Sequence, residues 1–326
     1  MAGVFGRSLR VDALRGIAII LMLFEHAPLF LLANRTLSPL MSYSYFFSRV
    51  STPLFLLIAG YCLWLSGERR VPSAGKAGFL RHVLRRVLLI FLLGFLVDFF
   101  TFRSLLFLNV LHTIGLSLLF LSLLYVSGSV GGYFLTLCSA LFYCFLYPPV
   151  FPEVFVRSPG GVLIWLMASG EYPLGSWMVY ALLGFGVGRI LTGVRFPAEW
   201  LPHAGLALVC ASLLCLAIGY PIGAWNSGPP FLFAALGFAL WAFYVATFLC
   251  GHRRGAFFAG ALASFGRHSL PVYIVNMFLF SFAGGLAGLK NSLDSARVLA
   301  AFVLFVCLSY AAIRWIESRG RAGKKN

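Results

Sequence analysis

The chain is poor in charge, and poorest in acid. Only 10% of its residues are charged, and nine Asp and Glu stand against 25 Lys and Arg. A soluble domain devotes about a quarter of its residues to charge, so a water-soluble globular protein with one anchor is excluded. Cysteine is present but in no useful pattern. Cys62, Cys138, Cys144, Cys210, Cys215, Cys250 and Cys307 all fall inside or at the edges of apolar runs, without metal-ligand spacing. They read as small hydrophobes in helices, and no metal is expected. No small-residue cleavage site follows a short apolar segment, so no removable signal peptide is expected either.

What the chain has is apolar length. Hydrophobic residues make up 61% of it, and the mean hydropathy is +0.93. Apolar runs occur at 14–33, 50–67, 87–103, 104–126, 131–149, 174–193, 203–222, 229–250, 260–286 and 296–316. Each approaches the ~20 residues that cross a hydrocarbon core. The expected fold is therefore all-α, a polytopic membrane bundle of about ten transmembrane helices. The least marked division lies between Val87 and Val126, at Asp98 and a polar turn from Thr101 to Ser104. Residues 1–318 are expected to form one transmembrane domain, followed by a basic cytoplasmic tail at 319–326.

Basic residues orient this bundle. Arg7 and Arg10, the loop with Arg69, Arg70, Lys76, Arg81, Arg85 and Arg86, the pair Arg253 and Arg254, and the tail with Arg319, Arg321, Lys324 and Lys325 are expected in the cytoplasm. An even number of spans puts both termini on that side with them. The formal net charge of +16 then follows from membrane topology, and nucleic acid is not an expected partner. The 69–86 loop would also attract a polyphosphate or anionic lipid. Arg49, Glu171 and Trp177 fall on the outer side, where tryptophan also serves simply as an anchor.

The first span, DALRGIAIILMLFEHAPLFLLA, carries Asp12, Arg15, Glu25 and His26. Ionisable groups in hydrocarbon are costly and mark functional sites. His26 stands eleven positions after Arg15, about three helical turns, so the two share a face with His26 roughly 16 Å deeper. An arginine at the interface and a histidine near the midplane suit a ligand with an anionic head and a reactive tail. Histidine titrates near neutrality, as a general base must. Glu25 adjoins it, but neighbours on a helix do not face each other, so Glu25 is not the expected orienting partner. Asp12 and Arg15 form an i, i+3 pair, and Asp12 also complements the helix dipole.

Three further segments carry polar groups. Asn109 and His112 stand at i, i+3 inside an expected span and would face one cavity. The glycines of LLGFGVGR (182–189) read as close helix packing, not a nucleotide loop, since no strand precedes them. In FGRHSLPVYIVN (265–276), Arg267 and His268 are expected at a helix N-terminus, an anion-binding position, with Asn276 about two turns deeper.

RVDALRGIAIILMLFEH, FFSRVSTPLFLLIAGYCLWLS, NVLHTIGLSLL, EYPLGSWMVYALLGFGVGR and FGRHSLPVYIVN, in this order, resemble the heparan-α-glucosaminide N-acetyltransferase catalytic-domain family. That family lies within the transmembrane acyltransferase superfamily, which also holds the acyltransferase-3 proteins. The spacing of Arg15 and His26 resembles the arginine, ten residues, histidine pattern of the acyltransferase-3 branch. The resemblance implies a cytosolic acetyl-CoA donor and an extracytoplasmic sugar or glycolipid acceptor, with His26 catalytic and Arg15 in the donor channel. Relatives often carry a histidine where this chain has Asn276. Eukaryotic members also have a histidine in a long loop after the first helix, which is short here and has none.

The expectation is a membrane-embedded acetyltransferase. His26 would deprotonate the acceptor while Asn109 or His112 polarises the thioester carbonyl. Arg15, Asp12, Arg267 and His268 would hold acyl-CoA; Arg49, Glu171, Trp177 and Asn276 would face the acceptor. Direct transfer and a histidine-bound acyl intermediate both stay open. So do the acceptor's identity and a second copy of the chain as partner. The chain's compactness and its lack of a signal peptide suggest a bacterial inner membrane. The rival reading is a proton-coupled secondary transporter using Asp12, Arg15, His26 and His112; a lipid-binding scaffold would not need an arginine and histidine stacked on one face.

Overall fold

Long apolar stretches without water must satisfy their backbone internally, and helices do so within one segment. The computed structural model describes residues 9–33, 50–102, 109–146, 172–191, 199–220 and 228–322. Among these the chain is helical, with one isolated β-bridge between Leu32 and Leu293. In chain order the helices are α1 (Leu9–Leu31), α2 (Ser51–Phe102), α3 (Val110–Ser127), α4 (Val130–Leu146) and α5 (Leu174–Leu191). They continue with α6 (Trp200–Ala217), α7 (Pro229–Gly251), α8 (Ala256–Arg267), α9 (Ser269–Met277) and α10 (Ser295–Ala322). A π-helical stretch, Phe278–Ala283, carries α9 on to Leu286. Six described helices are long and apolar enough to cross a membrane, and Val130–Phe142 and Leu174–Ile190 are shorter apolar helices. The chain is an all-α polytopic membrane bundle.

Two expectations about boundaries change. The basic stretch 69–86, read as a loop, is helical on both sides of Gly75, whose φ of 70° and ψ of 172° break α2. Glycine alone takes that conformation without strain. Glu68 before the break and Phe79 after it both reach Tyr125, the first by a 2.9 Å hydrogen bond and the second by rings 5.2 Å apart. On one straight helix those residues would be roughly 16 Å apart, so the chain folds back at Gly75 and α2 supplies two limbs. The run read as 104–126 begins as helix only at Val110, with Asn109 as its N-cap, while Thr101 and Phe102 still belong to α2.

The described residues fall into two compact units. The first holds α2 from Pro53 to Phe99, α3 to α6, and α7 as far as Trp241. Within it α2 and α5 touch backbone to backbone: a Cβ on Gly60 would land on the Ala181 carbonyl, and one on Gly184 on the Leu57 carbonyl. Gly186 lies against Tyr133 and Gly188 against Trp64, so the LLGFGVGR glycines serve close packing, as expected.

The second unit holds α1, Phe100 to Arg103, the remainder of α7, and α8 to α10. Its α1 and α8 run antiparallel in backbone contact at two levels. A Cβ on Gly16 would strike the Leu262 carbonyl, and one on Gly266 the Asp12 carbonyl. At the other end of α1 the last carbonyls, which no helix can satisfy itself, take main-chain donors. Asn291 N–H donates to Phe30 (3.0 Å), and Ser292 and Leu293 donate to Leu31 (3.1 and 2.9 Å). The Ala33 amide returns a bond to Leu293 at 2.9 Å.

Gly16→Ala and Gly266→Ala should each destabilise the protein by about 1–3 kcal/mol, because α1 and α8 must separate to admit a methyl. Gly260→Ala, on the same α8 with nothing within 4 Å of the added Cβ, should not. Thermal unfolding of the three variants in nanodiscs compares them directly.

Candidate active site

In the second unit α1 and α9 bring together two side chains 250 residues apart. His26 Nδ1 lies 2.8 Å from Asn276 Oδ1. A carbonyl oxygen can only accept, so Nδ1 carries the proton and Nε2 keeps its lone pair. Asn276 is fully buried while His26 is half-buried. Phe30 and Tyr273 flank the imidazole, each with its ring centre 6.0 Å away. The Asn276 Nδ2 amide is buried and has no hydrogen-bond partner among the described residues. Asn276, expected on the acceptor side, is the hydrogen-bond partner of His26.

Both helices lose regularity close to this pair. Pro28 has no N–H to offer the preceding turn of α1. The π-helical stretch begins two residues after Asn276, a departure that recurs at functional sites. Within it the Ser281 hydroxyl donates to the Met277 carbonyl, and Thr101 Oγ1 lies 3.3 Å from Ser281 Oγ.

Arg15 meets Asp12 at 3.7 Å, as an i, i+3 pair at the start of α1. Asp12 is buried, and its main chain is the surface on which Gly266 packs. Arg267 and His268 are placed differently from the expectation. The helix that carries Arg267 starts at Ala256 and stops there, and α9 restarts at Ser269. Arg267 thus stands at a C-terminal end, where a cation complements the dipole. Its guanidinium pairs with Glu317 of α10 (2.7 and 3.2 Å) and donates to Ser264 at 2.9 Å. His268 Nδ1 bonds the Ser264 carbonyl at 3.0 Å and lies 3.9 Å from Glu317. The expected open anion site is a tie between α8 and α10. Glu317 was not singled out from the sequence, although an acid among Arg314, Arg319 and Arg321 was the signal.

Asn109 and His112 belong to the other unit, where they cap a helix. Asn109 Oδ1 accepts from the Leu111 and His112 amides at 2.8 and 3.4 Å. The Asn109 amide N–H donates to His112 Nδ1 at 3.3 Å, closing a capping box. Asn109 Nδ2 donates to Asp98 Oδ1 at 2.8 Å and to the Gly94 carbonyl at 3.1 Å. Asp98, Asn109 and His112 are all buried, with Phe91 and Phe95 against the imidazole at 5.1 and 4.6 Å. Asp98, read only as a break in an apolar run, anchors this cap; an acid within such a run was the missed signal.

Trp177 was expected at the outer interface. It is only 3% exposed, packed by Tyr172, Tyr180 and Phe231 at ring separations of 5.2, 5.9 and 5.8 Å, and so belongs to the core of the first unit. Arg49 and Glu171 lie outside the described residues. Among the described residues no three His, Cys, Asp or Glu side chains gather as metal ligands would.

The sequence pattern of one family, heparan-alpha-glucosaminide N-acetyltransferase, catalytic, matches residues 7–217. The chain belongs to this family. Membership makes it a membrane acetyltransferase by type. None of the curated proteins compared with the chain matches it. The matched stretch contains Asp12, Arg15, His26, Asn109, His112 and Trp177, and ends before Arg267, His268 and Asn276. The orienting partner of His26 therefore comes from beyond the region that marks the family.

Two outcomes follow from the geometry. Asn109→Ala removes both the cap and a bond to buried Asp98, and should lower stability by about 1–3 kcal/mol; an unchanged unfolding temperature would show the cap to be idle. At the exposed turn of α2, partial burial and the neighbouring Arg70, Arg86 and Arg85 hold His82 below the ordinary histidine range. The unfolded chain then takes up this proton first as pH falls below about 6.5, so the folded state loses stability below that pH. His82→Gln should lessen the fall in unfolding temperature between neutral and mildly acidic pH.

Proposed function

We propose that this acetyltransferase moves an acetyl group from cytosolic acetyl-CoA to an amino sugar, glycan or glycolipid on the extracytoplasmic side, with His26 as general base. The observation that carries the reading is the 2.8 Å contact of His26 Nδ1 with Asn276 Oδ1, which leaves Nε2 able to accept a proton. A base oriented through its second nitrogen is the arrangement that activates a hydroxyl or amine. The acceptor's O–H or N–H gives its proton to Nε2 as its lone pair attacks the thioester carbon. A C–O or C–N bond forms, the C–S bond breaks, and the proton on Nε2 passes to the departing sulfur. CoA leaves as the thiol and His26 returns to its starting state.

Arg15 is assigned to the phosphates of the donor, entering from the side on which the basic N-terminal segment, the basic stretch 69–86 and the basic tail are expected. Positive loops favour that side as cytoplasmic. Asn109, His112, Arg267 and His268 are assigned to holding helices in place, because Asn109 and His112 form the capping box of α3 beside Asp98, and Arg267 and His268 meet Ser264 and Glu317. Arg49 and Glu171 keep their assignment to the acceptor side, and a bacterial inner membrane is the proposed location.

Acetyl-CoA should stabilise the purified protein in nanodiscs against heat, by about 2.7 kcal/mol at a hundred times its dissociation constant. His26→Ala should keep that stabilisation but lose about 10²–10⁴-fold in thiol release with a hexosamine acceptor or membrane glycolipid extract. Arg15→Ala should weaken the stabilisation itself. Folded protein that gains nothing from millimolar acetyl-CoA, or a His26→Ala variant with full activity, would overturn this reading.

A further inference from the structure

We propose that Asn276 acts at both ends of its amide: Oδ1 orients His26, and Nδ2 donates to the carbonyl oxygen of the acyl donor as negative charge develops there. The proposal rests on the acyltransferase reading and adds to it a second residue that touches the substrate. Its ground is the state of Nδ2. Asn276 is 0% exposed, and this nitrogen has no hydrogen-bond partner among the described residues. A buried donor without an acceptor is costly and calls for an explanation in a ligand, a water or a strained site. Here the orphaned donor is one amide away from the only histidine of the first span. Because the amide is planar, the bond from His26 to Oδ1 also fixes the direction of Nδ2.

The chemistry selects the missing acceptor. A thioester carbonyl oxygen only accepts, and its demand for a donor rises when the nucleophile adds to its carbon and the C=O electron pair moves onto oxygen. A preorganised donor there is worth more in the transition state than in the ground state, which is the condition for accelerating the step. When the tetrahedral species collapses, the electron pair returns to the carbonyl, the C–S bond breaks and the donor relaxes. A residue present only to hold His26 would need an acceptor atom alone, and aspartate would suffice. An asparagine brings the second, donating atom.

Asn276→Asp separates the two tasks. Its carboxylate still accepts from Nδ1–H but has nothing to donate. The ¹⁵N shifts of His26 report whether Nδ1 keeps its proton, and acetyl-CoA stabilisation reports donor binding. The expected result is both retained, with kcat down about 10²–10³-fold and KM for acetyl-CoA nearly unchanged. A second readout does not depend on turnover: the infrared carbonyl stretch of ¹³C-labelled acetonyl-CoA, a ketone that cannot transfer its acyl group. It should lie at lower frequency on wild type than on Asn276→Asp. Asn276→Ala reads the same shift should the aspartate variant not fold. An equal carbonyl frequency in wild type and variant, or kcat within about threefold of wild type with the Nδ1–H tautomer kept, would overturn the proposal and leave Asn276 as an orienting group only. Folded wild-type protein that neither gains stability from millimolar acetyl-CoA nor releases thiol with any acceptor would instead defeat the acyltransferase reading itself, so the two failures are told apart.

Discussion

The backbone contact between α1 and α8 is the constraint on which the second unit depends. Helices in lipid gain little from burying apolar side chains against one another, since the solvent is as apolar as they are; they associate through close van der Waals fit and polar bonds. Gly16 against Leu262 and Gly266 against Asp12 provide that fit at two levels one turn apart on each helix. The contact sets the axial register of α1, and His26 lies on α1. The chain that leaves α8 turns at His268 and enters α9, which carries Asn276. A hydrogen bond of 2.8 Å between residues so distant in sequence tolerates little sliding of either helix. Two residues without side chains thus determine where two reactive side chains meet.

Polar groups in this chain divide into those that complete their bonds within the protein and those that do not. Arg267, Glu317, Ser264 and His268 form a closed group that ties helices together. Asp98, Asn109 and His112 meet at the head of α3, where His112 Nδ1 is engaged in the cap while its Nε2 has no hydrogen-bond partner among the described residues. Burial makes each expensive to disturb, because an abandoned partner would be left without water. The His26 and Asn276 pair is not closed. One ring nitrogen and one amide nitrogen remain after the pair's own bond is made, and His26 is only half-buried where His112 is fully buried.

Much of this was legible in the sequence. Apolar runs gave the helices because length and hydropathy depend on local composition alone. The spacing of Arg15 and His26 placed them on one face because helical pitch is constant. The partner of His26 was not legible, since nothing local to α1 refers to a residue of α9. Arg267 was misplaced because an interruption at His268 leaves the apolar pattern unbroken, so a helix end read as a helix start. Asn109 looked like a spanning residue for a similar reason: hydropathy does not register a cap. Trp177 shows the limit of residue preference, because tryptophan suits both an interface and an aromatic core. In each case the missing information was a contact between segments far apart in the chain.

The hydrogen bonds described between the end of α1 and the stretch at Asn291 to Leu293 run between main-chain atoms. A joint of that kind asks little of side chains except at Asn291, whose φ of 56° suits asparagine, aspartate or glycine, so its other positions are at liberty to drift while its shape is kept. What it does not tolerate is a change in the number of residues or a proline, which would remove an amide donor. Divergent relatives should therefore vary in composition here outside that one position and hardly at all in length, and an alignment would register most of the region as unconserved although its geometry is held.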